Sequence, residues 1–71
     1  MPEPTNSERA MFASLALQEF AEITGQKGED DDTNTTDLLA NLIHLLGPGR
    51  FRAALCLARM HYEHEGGNMD D

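Results

Sequence analysis

An all-α fold of three helices is what this sequence predicts. Apolar residues recur at helical spacing in three segments, and a Gly47-Pro48-Gly49 break separates the second from the third. The stretch from Thr36 to Glu65, TDLLANLIHLLGPGRFRAALCLARMHYEHE, is also apolar on more than one helical face. A helix that is apolar over most of its circumference must be covered over most of it, and the chain has only one other helix to supply that cover. The pattern therefore predicts a core completed by a second copy or by a partner.

The first helix is expected over about 6–24. Thr5 stands where an N-cap would, with Glu8 three residues on to complete a capping box, and Ser7 is an alternative cap. Phe12, Ala16, Phe20 and Ile23 repeat at helical spacing with Met11 and Leu15 beside them, and Gly25 is a natural stop. Residues 26–35, QKGEDDDTNT, hold no apolar side chain, and the run Glu29, Asp30, Asp31, Asp32 repels itself, which predicts a mobile acidic loop. A calcium loop would need alternating oxygen ligands and a central glycine, which this segment lacks.

The second helix is expected over about 36–46, capped by Thr35 or Thr36, with Asp37 in its first turn, where a negative charge suits the helix dipole. The third is expected over about 50–65. So short a connection makes helices two and three an antiparallel hairpin. Leu38, Leu42, Ile43, Leu46, Phe51, Leu55, Ala58 and Tyr62 are the expected core or dimer residues. An aspartate at Leu42 or Leu55 is expected to abolish folding, because an unpaired charge in that seam costs several kcal/mol, comparable to the whole stability of so small a domain. Residues 1–5 and 66–71 are expected to be disordered, leaving 6–65 as a single helical domain.

Size and charge narrow the function. A domain of 71 residues buries only ~60% of the surface its unfolded chain exposes, so it needs a staple or a partner. One cysteine, Cys56, excludes an intrachain disulfide; set among Ala54, Leu55 and Leu57, it suits a reducing cytoplasm as a small core residue. Thirteen Asp and Glu against five Lys and Arg give a net charge of -8. Such a surface disfavours direct nucleic-acid binding and favours a protein partner with a basic surface. The N-terminal MPEPTNSER lacks the basic and apolar regions of a signal peptide, and no stretch approaches a membrane span of ~18 apolar residues. A cytoplasmic location is expected.

The chemistry-bearing groups are sparse. His61, His64 and Glu65 share a helical spacing that permits metal ligation, but zinc wants three or four ligands, and two histidines in a last helical turn also suit the dipole. His44 lies among leucines as a core or interface histidine. Arg50, Arg52 and Arg59 could hold phosphate near the start of helix three or pair with acids of the chain itself. Glu19 and Glu22 form an ExxE pair that, with Asp37 from another helix, could hold Mg²⁺.

Two resemblances follow from these residues. Phe20 with Thr24-Gly25, then Asp37-Leu38-Leu39, Leu42 and His44, then Phe51, Ala54-Leu55, Ala58, His61-Tyr62 and Glu65 resemble a family of small all-helical proteins carried by bacterial phages and plasmids. About two thirds of the chain takes part, and the resemblance implies a mobile-element setting. Asp37-Leu38-Leu39, Gly47, Ala54-Leu55 and Ala58 are similar to the closing helices of MazG-type nucleotide pyrophosphatases, which bind Mg²⁺ through an ExxE and an ExxD pair. That similarity implies metal ligands at Glu19, Glu22 and Asp37, with Arg50 or Arg52 on phosphate. Asn34 stands where the other Glu belongs, and a neutral amide is a poorer Mg²⁺ ligand than a carboxylate.

The function expected is a non-enzymatic acidic binding protein, without a cofactor, that docks on a host protein and modulates or inhibits it. A host defence complex of the CRISPR or other nuclease type is the example. Glu29, Asp30, Asp31, Asp32 and Asp37 would face the partner. The alternatives are a degenerate Mg²⁺-dependent pyrophosphatase and a structural or antitoxin-like interaction module.

Overall fold

A computed structural model describes residues 3–66. Its described residues form three α-helices and no strand: α1 Asn6–Thr24, α2 Asp31–Leu46 and α3 Pro48–His64. No helix among them is long and apolar enough to cross a membrane. The expected disorder at residues 1–2 and 67–71 lies outside the described residues.

Local chemistry accounts for the ends of α1. Thr5 and Glu8 form the expected capping box: Glu8 N–H donates to Thr5 Oγ1 at 3.1 Å and Thr5 N–H to Glu8 Oε1 at 2.8 Å. Glu3, just before the cap, lies 3.7 Å from Arg9 in the first turns of the helix. At the other end Gly25 turns left-handed, with φ 73°. Gln26 N–H then returns to Ala21 C=O at 2.7 Å and Gly25 N–H to Glu22 C=O at 3.3 Å. This bond pair is a Schellman motif, and a side chain at Gly25 would strain it.

The second helix begins five residues earlier than expected. Residues 31–35 are helical rather than loop, because Asp30 caps the segment: its Oδ1 accepts from Thr33 N–H at 2.8 Å. Asp31 and Asp32 then lie in the first turn, where the positive end of the helix dipole offsets their mutual repulsion. Thr36 is inside the helix and donates its hydroxyl to Asp32 C=O at 2.9 Å instead of capping.

The break between α2 and α3 is one residue, not three. Gly47, at φ 83° and ψ 156°, donates to Ile43 C=O at 2.7 Å and accepts from Phe51 N–H at 3.0 Å, so it closes one helix and opens the next. Pro48 occupies the first turn of α3, where its missing N–H costs nothing, and Gly49 is helical.

The chain divides into two compact units, Met1–Asn41 and Leu42–Asp71, with α2 crossing the boundary. In the first, Ala21 is buried and Leu17 and Phe20 beside it are half-buried. The inward side of α1 is therefore rotated from the expected stripe, for Phe12 is 55% and Ile23 75% exposed. Apolar residues surround most of α1, so periodicity alone did not select the side that packs. In the second unit Leu42, Leu46 and Phe51 are half-buried, whereas Ile43, Leu55, Ala58 and Tyr62 of the expected core are exposed. No residue of α3 is buried.

Candidate partner-binding surface

The acidic segment of the first unit is held in shape by polar side chains. Asn34, only 4% exposed, donates Nδ2 to the carbonyls of Gln26 and Glu29, at 3.4 Å each. These two long bonds tie the 26–29 turn to the first turns of α2. Gln26 Nε2 donates to Asp37 Oδ2 at 2.8 Å and makes a second tie one helical turn further on. Asn34 Oδ1 is buried without a hydrogen-bond partner. Leaving a buried acceptor unmade costs about 1–3 kcal/mol, so the packing around this side chain must outweigh that loss.

These ties divide the five acids expected to face a partner. Asp30 and Asp37 are occupied in positioning: one caps α2, the other takes the Gln26 amide. The hydrogen bonds from Thr33, first through its side chain and then through its backbone, hold the Asp30 carboxyl below its ordinary value of 3.8. Glu29, Asp31 and Asp32 are exposed and face solvent. Glu29 and Asp31 also line a groove of about 310 Å³ with Leu17, Ala21, Lys27 and Asn34. The segment is thus an anchored acidic ridge beside a groove, not a loose loop.

The alternative metal ligands do not converge. Among the described residues no three His, Cys, Asp or Glu side chains come together as metal ligands would. Glu22 Oε1 lies 3.8 Å from Lys27 Nζ, and Asp37 is engaged by Gln26. His61, His64 and Glu65 form no such group either. Asn34, at the position where the pyrophosphatase pattern calls for Glu, bonds backbone carbonyls and thereby serves the fold.

No known family model, curated protein or solved structure matches this chain. The resemblances to phage- and plasmid-borne proteins and to the pyrophosphatases therefore rest on their motif residues alone.

Sequence reasoning missed the structural part played by Asn34 and Gln26. A signal was present: Asp30 is a favoured N-cap residue and is followed by Asp31 and Asp32, acids that suit a first helical turn, which places Asn34 inside a helix.

The second candidate surface is α3. Leu55, Leu57, Met60 and Tyr62 are 48%, 55%, 51% and 43% exposed. One side of the helix carries a shallow groove of about 310 Å³ lined by Arg52, Leu55, Cys56, Arg59, Met60 and Glu63.

Proposed function

We propose that this chain is a small acidic binding protein of a phage or other mobile element, acting without catalysis by docking on a host protein with a basic surface and modulating or inhibiting it. The observation that carries this reading is the anchored ridge: Glu29, Asp31 and Asp32 are exposed while Asn34, Gln26 and Asp30 hold the backbone beneath them. An acidic surface already shaped before binding loses less conformational entropy when a cationic partner meets it. The first unit concentrates the charge, with nine acids against two basic residues in 1–41. A host defence nuclease complex, whose cationic groove normally receives nucleic acid, is the partner class such a ridge suits. The antiparallel hairpin that the short α2–α3 connection predicts would serve as scaffold.

The test is capture of bacterial host proteins by the intact chain at low and high salt, beside a variant with Glu29, Asp31 and Asp32 all changed to Lys. A specific partner lost both at high salt and in the reversed variant supports the reading. A partner held equally by the reversed variant sinks it. Pyrophosphate release from NTPs with Mg²⁺, abolished by Glu22→Gln, would move the chain to the enzymatic alternative.

A further inference from the structure

The groove on α3 is lined by residues 52, 55, 56, 59, 60 and 63. These positions are a single helical face, separated by steps of three, one, three, one and three. Their spacing has a further property: it reads the same in both directions about a point midway between Leu57 and Ala58. Antiparallel apposition of two such faces about that point sets Arg52 level with Glu63, Leu55 with Met60 and Cys56 with Arg59. We propose that this face is a two-fold interface on which a second copy of the chain docks, α3 against α3 in antiparallel register.

Four observations favour a second copy over another occupant. The face is self-complementary in charge at its ends, because Arg52 of each copy meets Glu63 of the other, and an isologous interface requires this kind of reciprocity. No ion pair among the described residues engages Arg52, Arg59 or Glu63, so both ends are available. The midsection is apolar and uncovered: Leu55 is 48% and Met60 51% exposed, and every residue of the face is exposed. Net charge points the same way. Residues 42–71 hold four acids and three basic residues, whereas 1–41 hold nine and two. Two copies therefore repel least through the second unit. Near the dyad the two Arg59 guanidiniums lie close in height, but their stems are long enough to carry the charge outward while covering Leu55 and Met60. Seventeen residues of α3 give ~25 Å of helix, a contact at the small end of specific interfaces, so dissociation in the micromolar range is expected.

The interface belongs to the second unit and the acidic ridge to the first, and failure of the interface would leave the proposed docking function untouched. The test is sedimentation of the full chain over a micromolar concentration series, with Arg52→Glu, Glu63→Arg and the double exchange. Each single reversal is expected to weaken dimerisation about tenfold, since both symmetry-related pairs turn repulsive. The double exchange is expected to restore it. Arg52 and Glu63 are eleven residues apart, ~16 Å along one helix, so rescue can arise only between copies. Leu55→Asp is expected to weaken dimerisation about 100-fold, and circular dichroism of each variant keeps loss of dimer distinct from loss of helix. A wild-type chain that stays monomeric at hundreds of micromolar overturns the proposal. So does a dimer that both single reversals weaken but the double exchange does not rescue.

Discussion

The two units of this chain solve the problem of small size differently. In Met1–Asn41 a capping box, a Schellman turn, an aspartate cap and the Asn34 and Gln26 ties fasten two helical segments and the turn between them. Few apolar residues are buried there, but polar bonds hold the backbone. In Leu42–Asp71 the sharp turn at Gly47 is the main backbone device, and α3 leaves every one of its residues unburied. The comparison sets order held by local hydrogen bonds against a helix whose apolar surface the single chain leaves exposed, the surface on which the proposed second copy would dock.

The largest predicted effect tests the first unit. Asn34→Asp removes both amide donors and sets a carboxylate against the Gln26 and Glu29 carbonyls in a buried position. A loss of about 3 kcal/mol is expected, read as a lowered denaturant midpoint, with α1 and the 26–29 turn freed from α2. Wild-type stability in this variant would show that the ties are incidental.

Leu55→Asp tests the second unit. The sequence alone suggests that it abolishes folding, but Leu55 is 48% exposed, so in one chain the new charge stays hydrated. The expected result is a monomer with helix content near wild type at low concentration and dimerisation weakened about 100-fold, or about 2.7 kcal/mol. Collapse of the helical spectrum at every concentration would place Leu55 in a core that the single chain does not show.

The two turn glycines sharpen the contrast. A Cβ meets no atom within 4 Å at either Gly25 or Gly47, so backbone conformation alone sets the cost. Gly47 at φ 83° and ψ 156° lies in a region that only glycine adopts comfortably, and Gly47→Ala is expected to cost about 2 kcal/mol. Gly25 at φ 73° and ψ 25° is left-handed helical, and Gly25→Ala is expected to cost about 1 kcal/mol. Thermal melts of the two variants, in that order of loss, would confirm the ranking.

The smallest effect is a pH dependence at the start of α2. The Asp30 carboxyl titrates below its ordinary 3.8, so its stabilisation is fully present above that value and is lost as pH falls through the lowered one. The Thr33 amide should keep its protection from hydrogen exchange at neutral pH and lose it as the pH falls through that lowered value. Asp30→Asn, which keeps a cap oxygen, should remove this acid sensitivity; an unchanged acid response would assign it to other carboxylates.

Much of the fold was legible because it is written in local chemistry. The Thr5–Glu8 box and the stop at Gly25 placed α1 within its observed bounds, since caps act over three or four residues. The start of α2 was misplaced because repulsion within the Glu29–Asp32 run was weighed without the Asp30 cap and the dipole that offset it. Of the candidate partner-facing acids, the sequence marked all five alike, and only their hydrogen bonds set Asp30 and Asp37, which hold the segment, apart from Glu29, Asp31 and Asp32.

The sequence by itself determined three helices, the two caps of α1 and a strongly acidic first half, because spacing, capping and charge are properties of neighbours along the chain. Only the tertiary structure decided which side of α1 turns inward, that Asn34 is buried under the acidic turn and that α3 stays uncovered. Those outcomes depend on which surfaces meet across the chain, and helices apolar on several faces leave that choice open until packing makes it.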